Sequence, residues 1–485
     1  MVERIYDRRH TTTPCKWALN SSEPSPHTRD PLLIRPKICS SVLEAIGNTP
    51  IVRINNITKQ ENIQCELLVK CEYMNPGGSF KDRVGSRIIE DLERSGRLRP
   101  GMKVVEASSG NTGIGLALAS IVKGYDLIVT MPEKMSQEKN DVLEAMGVEM
   151  IRTPTEAHIL TTSSYVGVAE SIERNNEDIV MAGQHFNSSN SLAHYDQTGE
   201  EIVQQLDGKL DYIVLGCGTG GLVTGLSRKL KEKIPGITIV AVDPKGSIIH
   251  DPDGAVPGSN QVEGLGAGIV PRACYTDLID KWIIGDDKVT FEYARKLIRY
   301  EGLLVGGSSG LIMYAAVQLA KTLPADKRVL AIMPDGIRNY MTKFLSDKWM
   351  IQNGFLHEKE TPAVVGKTVK DLNIKPCITC APDCSIRDVV GLMRKVGVSE
   401  IPILKDGVVV GVASSSVINR KLVAGTAQLS DPAQKVVLKP QKILKFDTTL
   451  AFAAVCLDDW KFAVVQDGDF IGVVYPIDLS LALSN

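Results

Sequence analysis

No apolar run in this chain of 485 residues approaches the roughly 18 residues that a membrane-spanning helix requires. Nor is there a surplus of either charge. With 55 Lys and Arg against 57 Asp and Glu, the formal charge of −2 gives no electrostatic case for nucleic acid or acidic lipid as a partner. The opening segment, MVERIYDRRHTTTPCKW, has charge but no apolar core of the kind that directs secretion, so a cytoplasmic location is expected. Ten cysteines lack the spacing of a disulfide framework, which predicts reduced thiols. Their one cluster, Cys377, Cys380 and Cys384, has no fourth ligand at finger-like spacing; it reads as a strand entering a helix capped by Ser385.

What remains is an ordinary globular composition, 43% hydrophobic and 23% charged, long enough for about three domains. Residues 1–39 are rich in Pro, Ser, Thr and charge, without apolar periodicity, and read as an irregular arm. From 40 to 353 short apolar runs (ELLVKCE, KVVEAS, DLIVTMP, IVMAG, YIVLGCG, TIVAVDP, RVLAIMPD) alternate with amphipathic helices. That pattern predicts an α/β core with a parallel sheet covered on both faces. A polar connector spans 354–370. Within 371–485, LKDGVVVGVASSSVINRKL from Leu404 is repeated as VQDGDFIGVVYPIDLSLAL from Val465, each copy reading strand, Asp-Gly turn, strand, helix. The duplication predicts two paired βαββα modules, a binding or regulatory unit.

Lys81, in NPGGSFKDR, opens an apolar helix where a positive charge opposes the helix dipole; Ser79 is the expected N-cap and Asp82 suits the first turn. Two glycine-rich loops follow strands, at 106–115 and 216–225. In the second, Gly216, Gly218 and Gly221 fit G-x-G-x-x-G, with Asp243 ending the next strand, so a dinucleotide is one reading. Glycines that bring helix N-terminal N–H groups onto a phosphate serve any phosphorylated cofactor equally. Lys81, the Asn/Ser/Thr loop at 108–112, the 218–221 loop and GGSSG at 306–310 together favour pyridoxal 5'-phosphate, which needs an amine, a partner for its ring oxygen, a phosphate cradle and a partner for its ring nitrogen.

In this order, GGSFKDR, SSGNTGIGLA, GTGG and EGLLVGGSSG resemble the fold-type-II pyridoxal-phosphate enzymes of the cysteine-synthase branch. CELLVKCEYMNPGGSFKDR, MPEKMSQEK and RNYMTKFLSDKWM resemble its serine- and homocysteine-condensing members, and the duplicated tail resembles their paired CBS (Bateman) modules. The resemblance implies that Lys81 carries the cofactor and later shuttles a proton. Asn111 would face the ring oxygen, Gly218, Thr219, Gly220 and Gly221 the phosphate, and Ser308 the ring nitrogen. A neutral hydroxyl at that nitrogen favours β-elimination and replacement over transamination. Ser108, Ser109 and Thr112 would bind the substrate carboxylate, with Gln184, His185, Gly264 and Ala267 lining the same space. The implied reaction joins serine to homocysteine with loss of water; cysteine in place of serine would release hydrogen sulfide. In the arm, Cys15 and His27 occupy the places of haem b iron ligands in animal members, with Arg228 paired to the thiolate. A homodimer or higher oligomer is implied.

Three positions depart from that pattern: His185 and Ala267 stand where tyrosines are usual, and Leu222 replaces a threonine. GLGAGIVP resembles the O-acetylserine sulfhydrylase version, which leaves two alternatives: sulfide-adding or sulfide-producing chemistry, and a catalytically weak haem or nucleotide sensor. In the tail, Asp478 suits an adenosine ribose, but VSEIP (398–402) and Tyr475 depart from the responsive pattern, which predicts weak or absent S-adenosylmethionine activation.

Overall fold

Continuous apolar runs can be strands only where both faces are covered, and the computed structural model is built on that rule. It describes residues 30–484 apart from 33–35, 109, 134, 155–156, 158–160, 359–361, 439–441 and 460. The chain forms two units, 1–345 and 346–485. The first holds ten strands: β1 (Ile51–Arg53), β2 (Glu66–Cys71), β3 (Lys103–Ala107), β4 (Asp126–Pro132), β5 (Glu149–Thr153), β6 (Ile179–Met181), β7 (Tyr212–Gly216), β8 (Thr238–Pro244), β9 (Lys281–Gly285) and β10 (Arg328–Met333).

Six strands make one sheet in the order β1-β2-β10-β7-β8-β9, parallel except for β1; four make a second, all-parallel sheet in the order β5-β4-β3-β6. All seven predicted runs are strands. The three unpredicted ones, β1, β5 and β9, lie at sheet edges. β5 and β9 are only half-buried there, so charges interrupt their apolar pattern.

Helix Lys81–Arg94 buries Val84, Ile88, Ile89 and Leu92 along one stripe. It crosses helix Asn111–Lys123 so closely that a Cβ on Gly85 would overlap the Gly115 carbonyl, and one on Gly115 the Lys81 carbonyl. Two glycines at the crossing therefore bring the lysine's helix and the asparagine's helix together. The helix begins one residue later than Ser79 capping implies: Phe80 is the N-cap, and Ser79 Oγ accepts the Lys81 N–H at 3.1 Å.

In the second unit, the duplication gives two three-stranded sheets, with β11 (Glu400–Lys405), β12 (Val408–Ser414) and β13 (Val437–Leu438) in one, and β14 (Ile443–Leu444), β15 (Ala463–Asp467) and β16 (Phe470–Val474) in the other. Asp406 and Gly407 both take left-handed φ (51° and 78°), the signature of a tight hairpin turn. In the second copy the turn moves one residue on, to Gly468 and Asp469, because Asp467 pairs with Phe470. Ser385 caps helix Ile386–Val396 as expected, accepting from Asp388 N. No group of three or more metal-ligating side chains occurs among the described residues, and no helix there is long and apolar enough to cross a membrane.

Candidate active site

Parallel strands end where loops of several elements meet, and here those loops enclose one cavity of about 390 Å³. Lys81, Asn111, Thr112, Gln184, His185, Gly218, Thr219, Gly220, Gly264, Ala267 and Ser308 all line it. Gly221 lies just behind, opening helix Gly221–Lys233, where a Cβ would overlap the Asn190 amide. Ser108 does not line the cavity. Its Oγ accepts the Gly110 and Gly113 N–H groups, each at 3.1 Å, which ties down the turn and leaves the hydroxyl's own proton to donate. Ser109, Cys15 and His27 lie outside the described residues. Arg228 sits on helix Gly221–Lys233 with its guanidinium 4.9 Å from the centre of the Tyr275 ring.

Lys81 is 8% exposed, and its Nζ donates to Thr219 Oγ1 at 3.1 Å, so the amine already reaches the glycine-rich loop. Burial pushes its pKa down to about 7, with the Glu106 carboxylate opposing. A lysine near 7 supplies the neutral amine that attacks an aldehyde. Burial raises Glu106 to about 8; its Oε2 accepts from Gly183 N at 2.7 Å and Gln184 N at 3.4 Å. That anchors the Gln184 segment, whose Nε2 donates to Ala107 O while its Oε1 accepts from Thr112. His185 is driven down to about 4 by burial and then by Lys81, so it presents a neutral imidazole to the cavity.

The glycine-rich loop fits a phosphate. The first N–H groups of a helix have no intrahelical acceptors, and helix Gly221–Lys233 aims them at this loop. A side chain would fill the cradle: a Cβ on Gly218 would overlap Gly264 O, and one on Gly220, at φ 85°, would overlap Cys274. Asn190, buried, donates to Thr219 Oγ1 at 3.0 Å and fixes that hydroxyl. The donor set (one weakly basic lysine, a glycine cradle, Asn111 and Ser308) fits pyridoxal phosphate. The dinucleotide alternative loses its acidic residue, because Asp243 is fully buried and holds His250 Nδ1 at 2.8 Å.

Behind Lys81, Arg83 bridges Glu72 (2.8 Å) and Glu201 (2.6 Å), and Lys70 meets Glu201 at 2.8 Å, all buried. Sequence reasoning missed this network, Glu106, Asn190, and the chain from Asp335 through Tyr340 and Lys139 to Glu263. Most sit among other polar residues, so nothing local marks them; burial and partners distant in sequence do.

The family model for pyridoxal-phosphate dependent enzymes matches residues 42–335, and that for the CBS domain matches 369–423. Cystathionine beta-synthase of Mus musculus is 43% identical over an alignment of 499 residues that covers 100% of this chain and 89% of that protein. Among solved structures, an O-acetylserine dependent cystathionine beta-synthase from Helicobacter pylori is similar at TM-score 0.60 and 36% identity, covering 64% of this chain and 99% of its own. A hydrogen sulfide-producing enzyme from Fusobacterium nucleatum is similar at TM-score 0.59 and 35% identity, covering 62% and 100%. The chain belongs to the pyridoxal-phosphate-dependent enzymes, in the cystathionine beta-synthase family.

Proposed function

We propose that this lyase condenses L-serine with L-homocysteine to give L-cystathionine and water. The observation that carries the reading is Lys81, weakly basic and tied to the glycine-rich loop at the head of the cavity, in a chain similar over its whole length to the mouse enzyme. Pyridoxal phosphate bound there supplies the electron sink for charge developing at the substrate's Cα. Lys81 Nζ would hold the cofactor, and its amine, weakly basic, would move the proton at the substrate's Cα. Thr112 and Gln184 bind the substrate carboxylate, exchanging their mutual hydrogen bond for bonds to it. Asn111 and Ser308, both lining the cavity, would take the ring's polar atoms, and backbone N–H groups of 218–221 would hold the phosphate. Purified protein given serine and homocysteine, with the product identified by mass, tests this; absence of cystathionine refutes it.

A second reading has support of its own. Ala267 lines the cavity with a methyl group where the family pattern has a tyrosine, and the Helicobacter and Fusobacterium relatives are described as O-acetylserine dependent and sulfide-producing. Turnover of O-acetylserine with sulfide, or of cysteine to sulfide, faster than serine with homocysteine would favour it.

The remaining parts of the proposal rest on sequence pattern. The domains divide as 1–39, 40–353, 354–370 and 371–485. Cys15 and His27 bind haem b iron, with Arg228 near the thiolate, and a haem absorbance band lost in Cys15→Ser tests that. The protein is a cytoplasmic homodimer or higher oligomer, measurable by light scattering. S-adenosylmethionine is a weak ligand or none.

A further inference from the structure

Which end of the Asn111 amide faces the cavity decides whether it donates or accepts a hydrogen bond there. Two neighbours determine this. Asn111 Nδ2 donates to Asp335 Oδ2 at 2.8 Å, and Asn111 Oδ1 accepts from Asn339 Nδ2 at 3.2 Å. A carboxylate only accepts, so Asp335 allows one orientation of the Asn111 amide, and Asn339, whose own amide can turn to suit, presents its NH₂ to the remaining oxygen. Its second N–H is then left for whatever occupies the cavity that Asn111 lines.

Asp335, two residues beyond β10, is 1% exposed. Its Oδ2 also accepts from Tyr340 OH at 2.5 Å, and Tyr340 OH in turn accepts from Lys139 Nζ at 3.1 Å. Its Oδ1 is buried without a partner among the described residues and lies against Gly306, where no side chain fits. The Asp335 backbone meets two more loops of the site. It bridges to Ser79, two residues before Lys81, and its carbonyl accepts from Gly306 N at 2.8 Å, two residues before Ser308. The lysine's turn, the asparagine's helix and the serine's loop thus converge on one residue. Burial raises the Asp335 pKa; Lys139, Tyr340 and Asn111 oppose that and favour the acceptor form.

We propose that Asp335 is a positioning residue that holds the Asn111 amide with its N–H toward the cofactor ring oxygen, an inference that rests on reading the cavity as a pyridoxal-phosphate site. Asn at 335 would both donate and accept, and so would no longer forbid the flipped amide. An N–H given to the ring oxygen favours its anionic form, so weakening it moves the cofactor's titration upward.

The test is a double-mutant cycle on the holoenzyme, read by the pH midpoint of the bound cofactor's fluorescence and by pyridoxal phosphate affinity in equilibrium dialysis. Asp335→Asn is expected to raise the midpoint by about one unit, a tenfold change in the proton equilibrium. It should also lower kcat about tenfold while KM for serine stays within about twofold. Asn111→Ala should give the same shift, and the double variant no more than Asn111→Ala alone. Should Asp335→Asn fail to fold, Asn339→Ala releases the other end of the amide and should give a smaller shift, absent in the Asn111→Ala background. A midpoint unchanged in both variants, or shifts that add to that of Asn111→Ala, would overturn the assignment while leaving the cofactor reading intact. A parent protein that binds no pyridoxal phosphate in dialysis overturns both.

Discussion

Replacing Gly220 by alanine tests the phosphate cradle in two independent ways. Gly220 has φ 85°, and a left-handed conformation costs an alanine about 1–2 kcal/mol. The new Cβ would also lie 2.7 Å from Cys274 N and overlap Cys274 Cα, so backbone must shift, which adds about 1–3 kcal/mol. The expected loss is therefore about 2–5 kcal/mol, measured by urea unfolding of the cofactor-free protein. Gly208 supplies the control: its φ is 67°, but nothing lies within 4 Å of a Cβ there, so Gly208→Ala should lose only the backbone part. The two variants should separate further in equilibrium dialysis. Displacing even one N–H from a charged phosphate forfeits about 1.5–3 kcal/mol, roughly tenfold or more in affinity for Gly220→Ala and none for Gly208→Ala. Matching unfolding midpoints and matching affinities in the two variants would refute the placement of the cradle.

The lowered pKa of Lys81 predicts that cofactor-free protein captures pyridoxal phosphate at a rate half-maximal near pH 7, where an ordinary lysine would require pH 10.5. Between those values the unfolded chain holds a proton that the folded one has lost. The stability of cofactor-free protein should therefore rise with pH across that window by a component absent from Lys81→Met. Arg83→Ala strands two buried carboxylates and should cost about 3–5 kcal/mol in urea unfolding. Burial alone would raise Glu72, but Arg83 and Lys70 hold it at about 2 against an ordinary 4.5, so the parent's contribution from this pair is complete above pH 4.5 and disappears as pH falls toward 2. In the second unit, Tyr475 OH donates to Glu400 Oε2 at 3.2 Å across the two modules. Calorimetry should detect weak or no S-adenosylmethionine binding, with turnover unchanged; tight binding with a clear rise in turnover would contradict this.

Most of the core was legible because its strands are buried on both faces and so read as unbroken apolar runs. Of the edge strands, β5 and β9 escaped because half-exposure admits charge, as in EMIRT and KWIIG, whereas β6, with two of its three residues buried, did not. Lys81 and the 218–221 loop were legible for a different reason: a helix start and a glycine cradle are written in consecutive residues. Asp335 was not, since its partner Asn111 is 224 positions away and no local pattern distinguishes it from any aspartate after a strand. Ser108 carries a second role that its motif does not display: its hydroxyl oxygen accepts two backbone N–H groups of the following turn, a contact visible only in the fold. Glu106 and Asn190 became visible only through burial, one anchoring Gln184 and the other Thr219.

The central claim is that Lys81 carries the cofactor. Reduction of the purified holoenzyme with borohydride, followed by peptide mass mapping, tests it directly, because reduction fixes pyridoxal phosphate permanently on the lysine that holds it. The account predicts a phosphopyridoxyl mass on the peptide containing Lys81 and on no other. A label on Lys139, the other buried lysine lining the cavity, or no label at all, would contradict it.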